Sequence, residues 1–112
     1  MRGARWGLIG LLLGACGAAA RAPDGKALYE THCSRCHGAQ GLPPAAMAKV
    51  MGGIPTFDSA FLATRSDDQL VRATERGVGR MKGYQATLES EEIVTVARYV
   101  RELAGKPKPP AP

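Results

Sequence analysis

Aromatic residues are scarce in this chain of 112 residues, which has one tryptophan, two phenylalanines and three tyrosines. Trp6 lies in an N-terminal apolar stretch, so a domain built from the remainder has only Tyr29, Phe57, Phe61, Tyr84 and Tyr99 to fill a core. A domain of this size is marginal without a staple or a large internal ligand. The N-terminal apolar run, residues 6–13, falls well short of the roughly 20 residues a spanning helix needs, which weighs against a retained transmembrane anchor. No segment shows a sustained period-two pattern of β-branched residues, so little or no sheet is expected. There is no internal repeat. No basic run is interleaved with aromatics, so nucleic-acid binding finds no support despite a formal net charge of +5.

Residues 1–15 read as an export signal. Arg2 and Arg5 give a positive start, residues 6–13 an apolar centre, and the small residues that follow a processing region. Leu13-Gly14-Ala15-Cys16 resembles the lipobox of bacterial lipoproteins, which makes Cys16 the expected lipidation site. Its competitor is ordinary cleavage at Ala18-Ala19-Ala20. Under either reading no free thiol remains at Cys16. A chain starting there loses Arg2 and Arg5, leaving 13 basic residues against 10 acidic ones, or +3. Residues 16–23 then form a tether, whose last seven residues reach on the order of 25 Å when extended. At the other end, residues 105–112 contain four prolines and cannot be helical, so an extended and largely disordered tail is expected. The domain is residues 24–104.

Three main helices can be read within it. The first begins at Asp24, a good N-cap, and runs toward Cys33. The second has the clearest punctuation. Ser66-x-x-Gln69 is a capping box, Asp67 and Asp68 occupy the first turn, Arg72 and Arg76 the last, and Gly77 is placed to end the helix in the left-handed conformation. The third carries Ile93, Val96, Ala97, Val100 and Leu103 at helical spacing and should bury one stripe. Shorter helices are expected over residues 44–51 and 58–64, separated by a turn at Gly52-Gly53-Ile54-Pro55.

The chemistry is carried by Cys33-Ser34-Arg35-Cys36-His37, which matches Cys-x-x-Cys-His, the attachment signature for c-type haem. Two cysteines three apart on a helical turn point the same way and can add to the two vinyl groups of one porphyrin, while the next residue places an imidazole under the iron. A thioredoxin-type disulfide would want a βαβ context that the helical pattern does not provide. A zinc site would need a fourth ligand, and only His32 remains, tied by adjacency. Haem is therefore the expected cofactor, and it would supply the apolar surface that the core lacks.

From these residues, the stretch from Asp24 to Leu103, about four fifths of the chain, resembles a small class I cytochrome c. Gly25-Lys26-Ala27-Leu28-Tyr29 is similar to that family's first helix with its Gly-x-x-x-aromatic pattern, Tyr99 matches the aromatic of its last helix, and Cys36-His37-Gly38-Ala39-Gln40-Gly41 matches its usual continuation. The resemblance implies an all-α fold, with three main helices and short ones around one covalently bound haem c. It implies His37 as one iron ligand and a methionine between the last two helices as the other. In Arg76-Gly77-Val78-Gly79-Arg80-Met81-Lys82-Gly83-Tyr84 that methionine is Met81, and Tyr84 is a further cofactor-binding candidate. The family often has proline after the ligand, where Lys82 stands here. Met47 and Met51 are rival ligands, with core filling as their plainer role. Pro44 resembles the loop proline whose carbonyl accepts from the ligand imidazole, with Pro43 as the alternative. Two ionised propionates would bring the net charge to about +1.

The function implied is transfer of single electrons between redox partners, on the periplasmic side and close to the membrane through a lipid anchor. Arg80 and Lys82 are the candidate docking charges. A ligand sensor or peroxidase-like protein with an open sixth position is the first alternative. A haem subunit of a larger membrane oxidoreductase is the second.

Overall fold

Asp24 opens the first helix through its own side chain, whose Oδ1 accepts from the amides of Lys26 at 3.0 Å and Ala27 at 3.4 Å. The computed structural model describes residues 23–110. The export signal, the lipobox and nearly all of the tether lie outside the described residues. The order of elements is α1 (Gly25–His32), α2 (Ser34–His37), α3 (Ala45–Met51), α4 (Ser59–Ala63), α5 (Asp67–Arg76), β1 (Gly77–Val78), β2 (Met81–Lys82) and α6 (Ser90–Ala104). The fold is all-α, as expected, with α1, α5 and α6 as the main helices.

Helix α1 packs on α6, and Gly25 marks the crossing. A Cβ there would stand 3.0 Å from both the Thr95 carbonyl oxygen and Tyr99 Cβ, tighter than packed side chains tolerate. Helix α5 starts where its capping box places it. Ser66 Oγ accepts from Gln69 N at 3.2 Å, and the Ser66 amide donates to Gln69 Oε1 at 2.8 Å. Its end differs from expectation. Gly77 has φ 81° and ψ 167°, an extended left-sided conformation and not the helical αL one. The chain therefore leaves α5 straight into β1, which pairs antiparallel with β2, Val78 opposite Met81. Any side chain at Gly77 would collide with the Met81 carbonyl, so this tight return depends on glycine.

Helix α6 carries a capping box that the sequence reading passed over, in which the Glu89 amide donates to Glu92 Oε2 at 2.8 Å. It buries Ile93, Val96, Ala97, Leu103 and Ala104, while Val100 is only half-buried. The core falls into two clusters. Tyr29, Phe57, Val96, Leu103 and Ala104 form one, with Cys33 and Tyr99 packed against it. Tyr84, Leu88 and Ile93 form the other, with Val71 and Met81 against it, and Leu28 touches both. Full burial of Ile93 and Val96 contributes roughly 1.5–3 kcal/mol each.

The C-terminal segment departs from a free tail. Residues 107–110 form no regular structure, as their prolines require, yet Lys108 is half-buried and its Nζ bonds to carbonyls of the folded domain.

Candidate functional site

Cys33, Cys36 and His37 stand on a single turn. Cys33 ends α1 and caps α2, the His37 amide donates to the Cys33 carbonyl at 3.0 Å, and the Gly38 amide donates to the Ser34 carbonyl at 2.7 Å. The turn thus sets the two sulfurs and the imidazole on one short piece of backbone. Both cysteines are half-buried free thiols. Burial, with Cys36 beside it, pushes the Cys33 thiol up to about 11, so it is held as the neutral thiol.

Gly38 lets the chain turn sharply away from α2. Its φ is 77°, and a Cβ would run into the Leu42 carbonyl. Its own carbonyl accepts from Tyr29 Oη at 2.6 Å inside the core. Burial, foremost, raises the Tyr29 phenol well above its ordinary range, so this donor stays protonated.

The His37 imidazole lies against the ring of Phe57, with centroids 4.5 Å apart and planes 16° from parallel. Phe57 is fixed in turn by its amide, which donates to the Gly41 carbonyl at 2.8 Å. Burial lowers the His37 pKa and so favours the neutral imidazole, the form that binds a metal. Nδ1 is buried without a hydrogen-bond partner. The bond expected from Pro44 or Pro43 is therefore not made. The Pro44 carbonyl instead accepts from the Ala48 amide at 2.9 Å, because Pro44 is the N-cap of α3 and supplies its first helical acceptor. From sequence alone Phe57 is no more than a core aromatic. Its position against His37 depends on a contact between loops that no local pattern records.

Met81 is half-buried in β2 and packs on the cluster of Tyr84, Leu88 and Ile93. The return at Gly77 places it after α5, and Tyr84 ties its loop to the cysteine turn. Tyr84 Oη donates to the His32 carbonyl at 2.8 Å, across 52 residues of sequence, and the His32 ring meets the Tyr84 ring edge-on at 5.7 Å. Tyr84 is thus a strut between the two halves of the site, its hydroxyl already spent on backbone. Burial foremost, with Cys33 and Cys36 nearby, raises its pKa.

Helix α3 is the most exposed of the apolar segments near the site. Apart from Lys49 its residues are apolar, yet none is buried, and Val50 is 71% exposed. Met47 and Met51 are half-buried on it. Arg80 reaches back to α3, its Nη1 donating to the Val50 carbonyl at 3.2 Å, so the methionine loop and α3 are joined. Lys82 Nζ sits 5.0 Å over the Tyr84 ring. These residues fit a haem. There is a pair of unbonded thiols on one turn, a neutral imidazole with a buried nitrogen that bonds to no protein group, a thioether on the loop that Tyr84 ties to that turn, and an apolar helix with no buried residue.

A family profile described as Cytochrome C oxidase, cbb3-type, subunit III matches residues 20–100. The chain belongs to this family. Cbb3-type cytochrome c oxidase subunit FixP of Bradyrhizobium diazoefficiens is 36% identical over 95 residues, an alignment covering 74% of this chain and 30% of that protein. Cbb3-type cytochrome c oxidase subunit CcoP of Azospirillum brasilense is 30% identical over 88 residues, covering 78% of this chain and 30% of that protein. The chain spans about 30% of the length of these curated relatives. Among solved structures, the KustC0563 c-type cytochrome superposes with a TM-score of 0.66 at 29% identity, covering 74% of this chain and 99% of its own. A tyrosine-to-phenylalanine mutant of the same cytochrome gives 0.63 at 28% identity, covering 71% and 98%. The chain is a small class I c-type cytochrome domain, and haem c is its cofactor.

Proposed function

We propose that this domain carries single electrons through one haem, held by thioether bonds from Cys33 and Cys36, with His37 and Met81 as axial ligands. The observation that carries the reading is the shared turn of Cys33, Cys36 and His37, with a neutral imidazole stacked on Phe57. Bound haem supplies a one-electron iron couple, and a methionine thioether favours its ferrous state relative to a second histidine or water. The protein supplies orientation. Tyr29 and Phe57 hold the backbone after His37, Tyr84 fixes the spacing between the cysteine turn and the Met81 loop, and α3 offers the apolar cover.

The sensor or peroxidase-like reading loses ground on one point. It needs a free polar group beside an open sixth position, and Arg80 is engaged with the Val50 carbonyl while Lys82 lies over Tyr84. The oxidoreductase-subunit reading gains ground, because both curated relatives are named as cbb3-type oxidase subunits. We place the domain on the periplasmic side, lipidated at Cys16 and exchanging electrons with a membrane-associated redox complex. A tether of about 25 Å at full extension would keep it near the bilayer. Lys82 is the better docking charge of the pair, since Arg80 is partly committed within the chain.

The test is the holo-protein on a denaturing gel together with its oxidised and reduced spectra. Haem should migrate with the polypeptide and the reduced spectrum should be that of a six-coordinate c-type centre. Haem released into acidified organic solvent from the unaltered protein would sink the assignment.

A further inference from the structure

The tail after α6 was expected to be free, and one residue in it is not. Gly105, Lys106, Pro107, Pro109 and Pro110 are exposed, while Lys108 alone in this segment turns inward. Its Nζ donates to the Leu103 carbonyl at 2.6 Å and to the Gln40 carbonyl at 2.8 Å, the second across 68 residues of sequence. Both acceptors suit a cation. Leu103 lies in the last turn of α6, where the helix dipole is negative, and its carbonyl, which also accepts from the Lys106 amide at 3.2 Å, has a second lone pair to offer. Gln40 lies between Gly38 and Gly41, both buried and both with positive φ.

The loop that Lys108 reaches is the one that leaves His37, and its carbonyls are held from different directions. That of Gly38 accepts from Tyr29 Oη, that of Gly41 from the Phe57 amide, and that of Gln40 from Lys108. Pro107 and Pro109 flank Lys108 and restrict the chain on either side, so little backbone freedom remains to be lost when it docks. Asp58, directly after Phe57, lies close enough to favour the charged amine, although burial, the larger effect, lowers the Lys108 pKa.

We propose that residues 105–110 form a strap, with Lys108 a positioning residue that fixes the loop after His37 and through it the stacking of Phe57 on the imidazole. The effect on the iron rests on the reading of His37 as its ligand. The effect on the loop does not.

The experiment uses the holo-protein, Lys108→Met, which keeps the apolar stem and removes the donors, Lys108→Arg, which restores them, and Lys106→Ala as an exposed control. Hydrogen exchange is read by mass spectrometry on peptides spanning residues 38–42 and 55–58, alongside the reduction potential by spectroelectrochemistry. In Lys108→Met, exchange in these peptides should rise about five- to tenfold, as expected for losing one charge-assisted hydrogen bond at a half-exposed site, with peptides of α5 unchanged. The potential should shift with it. Lys108→Arg should return most of both effects, and Lys106→Ala should match the parent. Unchanged exchange in Lys108→Met overturns the strap. An equal rise in α5 overturns it as a positioning device, because the residue would then act on global stability alone. Altered exchange with an unmoved potential overturns the link to His37 and leaves the loop contact standing. Failure of haem to stay on the chain would strike the haem reading separately.

Discussion

Replacing Tyr29 by phenylalanine removes one oxygen and nothing else. The ring stays, and with it the contacts to Tyr99 at 5.3 Å and Phe57 at 6.5 Å between centroids. What is lost is the 2.6 Å bond to the Gly38 carbonyl, in a side chain with no solvent exposure. Leaving a buried acceptor without its partner costs about 1–3 kcal/mol. The Gly38 carbonyl keeps a second bond, from the Gly41 amide at 3.1 Å, which favours the lower half of that range, about 1–2 kcal/mol. With a guanidinium slope of about 2 kcal/mol/M, the unfolding midpoint should fall by about 0.5–1 M with the slope unchanged. Circular dichroism of the holo-protein reads this directly.

The pH dependence gives a second check on the same variant. The folded-state phenol pKa of Tyr29 is raised above its unfolded value, chiefly by burial. Its contribution is therefore fully present below the ordinary tyrosine pKa of about 10 and is lost as pH rises beyond it. The deficit of Tyr29→Phe should hold from neutral pH to about 9 and shrink above about 10. A midpoint change under about 0.2 M at pH 7, or a deficit that grows with alkalinity, would refute the account of this hydroxyl as the clamp on Gly38.

The remaining predictions concern the iron and the membrane. Met81→Ala should let ferrous protein bind carbon monoxide, whereas Met47→Ala and Met51→Ala should not, and equal binding by parent and Met81→Ala would remove Met81 as the ligand. Cys16→Ser, routed through an ordinary signal peptide, should leave the membrane fraction for the soluble one. If both proteins are soluble and the mature N-terminus is Arg21, the anchor is wrong and a freely diffusing periplasmic carrier is the better reading.

Much of this protein is decided within a few residues of sequence. The cysteine turn, the capping box at Ser66 and the buried stripe of α6 all depend on partners no more than a few turns away, so spacing alone reveals them. The proposed haem site shares this locality, because the thiols of Cys33 and Cys36 and the imidazole of His37 stand on one turn. Local pattern misjudged Gly77, whose ψ is set by the strand pairing that follows and not by the helix before it. It left open what the Pro44 carbonyl meets, which in the fold is the Ala48 amide at the start of α3. What only the tertiary structure decided is how the turn is held. Phe57 against His37, Tyr84 on the His32 carbonyl and Lys108 on the Gln40 carbonyl each join parts of the chain far apart in sequence. A hydroxyl or an ammonium can donate to any carbonyl the fold brings within about 3 Å, and which one it meets is a property of packed helices, not of spacing.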